Sequence, residues 1–133
     1  MAKKVKRILK ERTRNGSTET EAMHMGKIRS ALRSITRYSW VPKKQALKDA
    51  LVVLPVGNKK INHYRCAICL GLHKAKDVEV DHLVPAGSLK SYDDLPEFCR
   101  RLFVEDSTLL RVLCEVCHRK ITNEAKEIKK QIL

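Results

Sequence analysis

The stretches Tyr64-Arg65-Cys66-Ala67-Ile68-Cys69 and Leu113-Cys114-Glu115-Val116-Cys117-His118 decide how this chain is read. Each carries a C-x-x-C pair, and 44 residues separate Cys69 from Cys114. A C-x-x-C turn aims two thiolates at one point, and two such turns complete a tetrahedron around a zinc ion. With Cys66, Cys69, Cys114 and Cys117 filling every position, the zinc is expected to be structural. Redox chemistry would use one pair and leave the other unexplained. The fifth cysteine, Cys99, stands alone between the pairs and reads as a small buried hydrophobe.

A metal staple suits the length. A chain of 133 residues builds only a modest core, and metal-binding energy becomes folding energy in such a domain. The opening MAKKVKRILKERTRN has no apolar run after its charges, so no secretory leader is expected. No run approaches the length of a membrane span. The expected setting is a reducing cytoplasm, where paired cysteines read as metal ligands before disulfides.

The formal net charge is +13, and it is unevenly placed. Residues 1–62 hold 16 basic and 4 acidic side chains, whereas residues 63–133 hold 12 and 11. A segment so basic is the footprint of a polyanion, and double-stranded DNA is the expected partner. An anionic membrane fits less well, because the segment lacks a wide apolar face. A solubilising tail is the bland alternative.

Three regions follow from the patterning. Residues 1–17 form a basic arm, expected to be mobile without DNA. Residues 18–60 read as a basic helical module. Thr18-x-x-Glu21 has capping-box spacing, and Ala22, Met25, Ile28, Leu32 and Ile35 recur at helical intervals. Pro42 suits the first turn of a second helix, whose stripe of Ala46, Leu47, Ala50, Leu51 and Leu54 is stopped by Pro55. Trp40 is expected to anchor this module, and Gly57-Asn58-Lys59-Lys60 reads as a turn or linker. DNA contact is expected from Lys3, Lys4, Lys6 and Arg7 in the arm and from Lys27, Arg29, Arg33 and Arg37 on the first helix.

Residues 61–133 carry the cysteines. A short strand or knuckle is expected at Tyr64-Arg65-Cys66, and Asp77-Val78-Glu79-Val80 alternates as a half-buried strand does. Pro85-Ala86-Gly87 marks a turn. A short helix is expected at 95–103 and a longer one from Cys114 to the end, with Val116, Ile121, Ala125, Ile128 and Ile132 on one face. Between the knuckles lies Val80-Asp81-His82-Leu83-Val84-Pro85, and His118 follows the second knuckle directly. Asp81 is a hard oxygen donor and His118 a nitrogen donor, which suits a divalent ion with positions left for water and phosphate. His82 should point away from Asp81 on an extended chain, toward substrate, where a neutral imidazole can take a proton from water. His24, His63 and His73 read as surface or packing residues.

The order YRCAIC, EVDHLVP, LLRVLCEVCHRKIT, spread over residues 64–124, resembles the HNH endonuclease family in its bacteriophage zinc-knuckle form. The segment KIRSALRSITRYSW with ALKDAL is similar to the helices preceding the motif in phage members. The resemblance implies an α+β protein with a small, treble-clef-like ββα-metal domain, zinc-stapled and preceded by a basic helical segment. It implies that His82 is the general base and that Asp81 and His118 hold a catalytic Mg²⁺ or Mn²⁺. The implied activity is nicking or double-strand cleavage of DNA, leaving a 3′-hydroxyl and a 5′-phosphate. It also implies a phage-encoded protein working in a host cytoplasm, with a homodimer or phage packaging proteins as open partner assignments. The chain departs from the family at Leu109, where an asparagine usually holds the loop bearing the base, and at Ile121, where lysine is common. Adjacent Thr108 is the candidate substitute for that asparagine. A DNA-binding zinc protein with weakened catalysis is the alternative reading, and a zinc-stapled interaction adaptor is a third.

Overall fold

The computed structural model describes residues 9–132, so the arm residues Lys3, Lys4, Lys6 and Arg7 lie outside the described residues. It is a mixed helix-and-sheet protein with small antiparallel sheets. Strands β1 (Arg12–Arg14) and β2 (Glu19–Thr20) form a short hairpin. Residues 12–14, read from the sequence as part of a structureless arm, are therefore paired. Asn15, Gly16 and Ser17 all take positive φ in the turn. Thr18 belongs to this turn, its hydroxyl donating to the Asn15 carbonyl at 2.8 Å. The helix cap is instead Thr20, whose side chain accepts from the Met23 amide, so helix α1 (Glu21–Tyr38) starts two residues later than the Thr18 spacing predicted.

Helix α1 buries Met25, with Ile28 and Leu32 half-buried beside it, while Ile35 is left exposed. These side chains meet Ala86, Leu89, Phe98 and Leu102 to form the larger apolar core. Phe98 and Leu102 come from helix α3 (Leu95–Leu102), close to its predicted span. Trp40, between α1 and α2 (Val41–Ala50), reaches across to this region: its indole Nε1 donates to the Val104 carbonyl at 3.0 Å, and its ring lies 5.6 Å from that of Phe103.

The predicted second helix is too long. It ends at Ala50, and Leu51–Val56 form strand β3, paired with β4 (Lys59–Arg65). The β-branched Val52, Val53 and Val56 favour the pleated surface over a helix. Gly57 with φ +62° takes the first central position of a two-residue turn, the geometry that suits a hairpin. Thus Gly57-Asn58 joins paired strands and is not a linker. Pro55 sits on β3, an edge strand of the order β3-β4-β5, where its missing N–H costs no ladder bond on the outer side. Strand β5 (Leu72–His73) completes that sheet.

Strands β6 (Val78–His82) and β7 (Leu110–Cys114) form a separate antiparallel pair, with Val78 opposite Cys114, Asp81 opposite Arg111 and His82 opposite Leu110. Helix α4 (Glu115–Ile132) leaves β7 directly and packs on both strands. Only its first turns are covered. Ile121 packs on the cysteine cluster, but Val116, Ile128 and Ile132 are exposed, so the predicted apolar face is largely bare.

Candidate metal centre and cleft

Cys66 ends the β4 ladder. Its amide donates to the Gly71 carbonyl at 3.0 Å, and its carbonyl accepts from the Leu70 amide at 3.0 Å, which curls Cys66–Cys69 into a knuckle. Gly71 fits closely here: a Cβ at that position would lie 3.1 Å from His73 Nε2 and 3.4 Å from Cys69 Sγ, so those side chains would have to give way. The Ala67 amide donates to the Val112 carbonyl at 2.9 Å, pinning this knuckle to β7. The second knuckle spans the β7–α4 junction, where the Cys117 amide points at Cys114 Sγ at 3.4 Å. The four sulfurs consequently gather within 4.8 Å of one another, with Cys69 and Cys114 Sγ 3.9 Å apart.

This cluster can hold a metal ion such as zinc. Its electrostatics agree. Burial pushes the Cys66 thiol up, but hydrogen bonds from the Cys114, Cys69 and Ile68 backbone outweigh this and bring it down to about 6. Contact with Cys114, together with burial, pushes Cys117 up to about 12. The crowding thus favours the Cys66 thiolate and resists that of Cys117, and a divalent cation would offset that resistance. Cys66, Cys114 and Cys117 are buried, whereas Cys69 is exposed, with His73 Nε2 at 3.7 Å from its sulfur. Leu113 and Ile121 complete the apolar lining, so Ile121 serves packing here.

Asp81, His82 and His118 line one cleft of about 490 Å³, together with Glu79, Val80, Leu102, Arg33, Thr36, Arg37 and Lys43. The β6–β7 register and the start of α4 bring the first three together. His82, at the end of β6, places Nε2 3.0 Å from the Leu102 carbonyl at the end of α3. A carbonyl only accepts, so Nε2 carries the proton and the lone pair of the neutral ring is on Nδ1. Asp81 Oδ2 lies 3.7 Å from the Arg111 guanidinium, and His118 Nδ1 lies 3.4 Å from Glu79 Oε2. Glu79 was absent from the sequence-based site. Its signal was available, since positions 79 and 81 share a face of an extended strand.

Among the described residues, only the four cysteines form a group of three or more donors as close as 4.8 Å. The oxygen and nitrogen donors of Asp81, Glu79 and His118 nevertheless suit a hard divalent ion chemically. Leu109 is 47% exposed and acts through its backbone, its carbonyl accepting from the Leu83 amide at 3.0 Å. Thr108, the candidate stand-in for the family asparagine, is instead engaged with Asp106, its hydroxyl at 2.7 Å and its amide at 2.9 Å.

The four α1 cations divide. Lys27 is paired with Glu19, and Arg29 reaches the Leu89 carbonyl at 3.4 Å. Arg33 and Arg37 line the cleft and have no carboxylate partner among the described residues. No helix among the described residues is long and apolar enough to cross a membrane. His24 bonds the Tyr92 hydroxyl at 2.7 Å and His63 the Ile61 carbonyl at 3.1 Å, both packing roles. In comparisons with known proteins, no family model, curated protein or solved structure matches this chain.

Proposed function

We propose that this protein is a metal-dependent DNA endonuclease of the HNH type, with β6, β7 and α4 as its ββα-metal unit. The observation that carries the reading is the single cleft lined by Asp81, His82 and His118 together with unpaired cations. A general base, two metal donors and a phosphate-attracting wall are what hydrolysis of a phosphodiester requires.

In this reading His82 accepts a proton from the attacking water through Nδ1. The Leu102 carbonyl fixes its tautomer and its direction. Asp81 and His118 would hold the divalent ion, with Glu79 as a further carboxylate beside His118. That ion, when bound, stabilises charge on the phosphoryl oxygens and the leaving 3′ oxygen. The four-cysteine zinc site sets the junction from which α4 presents His118, one residue beyond Cys117. Basic residues of α1 draw in the duplex, and a phage-encoded protein acting in a host cytoplasm fits the family likeness.

A second reading, a DNA-binding zinc protein with weakened catalysis, is favoured by one observation: Asp81 lies against Arg111 and His118 against Glu79, so each proposed metal donor already faces another charged side chain. A supercoiled-plasmid assay with Mg²⁺ and with Mn²⁺ separates the two. The wild type is expected to nick or linearise the plasmid. The His82→Ala variant should lose about 10²–10⁴-fold in rate, the usual contribution of a general base, while binding DNA as before. Equal cleavage by both proteins removes His82 from the mechanism, and no cleavage by either favours the second reading.

A further inference from the structure

Lys43 was not among the cations expected to touch DNA, yet it opens into the same cleft as Asp81, His82 and His118. It stands in the first turn of α2, half-buried, next to the α1 face that carries Arg33 and Arg37. Arg33 and Arg37 are four residues apart and so share one side of that helix. Lys43, Arg33 and Arg37 make no ion pair among the described residues. The cleft therefore holds three cations against two carboxylates, Glu79 and Asp81. The excess grows once a divalent ion takes up those carboxylates.

The corner that carries these cations is tied to the rest of the fold. Buried Thr36 returns its hydroxyl to the Arg33 carbonyl at 3.2 Å, and Trp40 ties the α1–α2 junction to Val104 and Phe103. A cation on a fixed element loses less freedom on binding than one on an open surface. Holding like charges together without an anion is unfavourable, and a half-buried ammonium adds a desolvation cost. A cluster of this kind is complemented by an anion that enters from outside.

We propose that Lys43, Arg33 and Arg37 form a seat for the phosphodiester backbone, with Lys43 contacting the phosphate that faces Asp81, His82 and His118. The direction of the Lys43 titration agrees: burial first, then Arg33 and Arg37, push its ammonium below the ordinary lysine value, and Asp81 offsets this only in part. A bound phosphate removes that imbalance. The two arginines, exposed and further along α1, hold the flanking backbone. The seat rests on the nuclease reading for its role in cleavage, but not for its ligand.

The test uses the full chain with zinc bound, and variants Lys43→Met, Lys43→Arg and Arg33→Gln. Lys48→Gln, on the same helix outside the cleft, is the control. Zinc stoichiometry and melting show that each variant is folded. Binding to a short DNA duplex is measured without added Mg²⁺ or Mn²⁺ across a range of salt, and cleavage is measured with them.

Lys43→Met is expected to reduce the magnitude of the log Kd against log salt slope by about one, the loss of one phosphate contact. It should also slow cleavage at saturating DNA by about 10²-fold, the scale of one lost transition-state donor. Lys43→Arg should recover most of the binding and part of the rate, Arg33→Gln should also reduce the slope by about one, and Lys48→Gln should match wild type. An unchanged slope in Arg33→Gln overturns the part given to the arginines. If Lys43→Met keeps the wild-type slope and rate, the seat is overturned while the nuclease reading stands. If wild type cleaves nothing, the nuclease reading fails and the seat is judged by binding alone. A smaller slope in Lys43→Met then upholds it, and an unchanged slope overturns it.

Discussion

Leu109 contributes through its carbonyl, which accepts from the Leu83 amide directly after the Asp81-His82 pair. Two further ties hold the same region: the β6–β7 ladder up to His82 and Leu110, and the bond from His82 to the Leu102 carbonyl. Backbone bonds therefore hold this segment without help from the exposed Leu109 side chain. Leu109→Ala is accordingly expected to change stability by no more than about 0.5 kcal/mol, as at other exposed sites, and to leave plasmid nicking within a few-fold of wild type. A loss comparable to that of His82→Ala would show that the leucine side chain itself supports the site. The Asp81-His82 pair and His118, which line one cleft, stood out in the sequence because their residue types carry chemistry. Lys43 and Glu79 were not singled out, because a lysine in a basic segment and a glutamate on a strand have no distinctive type. Only their placement marks them.

At the scale of elements, the N-terminal hairpin is held mainly by charge. Arg14 grips Glu21 through two bonds at 2.6 and 3.2 Å, Lys27 pairs with Glu19, and the Arg14 guanidinium lies 4.6 Å from the Tyr92 ring centre. The Lys27 hydrogen bond holds the Glu19 carboxyl below its ordinary value, and the Arg14 hydrogen bond does the same for Glu21. Folded carboxylates with depressed pKa contribute stability that is complete above their unfolded value of 4.5 and is lost as pH falls through the lower folded values. Amides of β1 and β2 are therefore expected to lose protection, measured against the intrinsic exchange rate at each pH, below about pH 4 while α3 keeps its protection. Equal loss of protection in both elements would mean that these pairs do not hold the hairpin. The switch from α2 to β3 was misread for a related reason. The continuous apolar run Leu51-Val52-Val53-Leu54 does not separate helix from strand over so short a span, and the hairpin turn at Gly57 supplies the partner strand that decides between them.

At the scale of the whole molecule, two small cores share the work. One joins α1 to α3 through Met25, Leu89, Phe98 and Leu102, and the other surrounds the cysteines. The second contains little beyond Leu113 and Ile121 in apolar side chains, so a metal held by the four cysteines would supply much of its stability. Cys114→Ser is expected to abolish stoichiometric zinc binding and the cooperative melting transition, because the same residue anchors β7, α4 and the first knuckle. A variant that melts like wild type would show that the cluster is not a folding staple.

The sequence by itself determined the four cysteines that could hold a metal and the basic first half, and it drew attention to the Asp-His pair, since each depends on residue type and short-range spacing. Tertiary structure alone decided which cations face the cleft, that Leu51–Val56 is a strand, and that the carbonyls of Leu102 and Leu109 meet His82 and the Leu83 amide. These outcomes depend on partners distant along the chain. Local pattern carries no record of which carbonyl a histidine will meet, or of which of four helix cations will find a carboxylate.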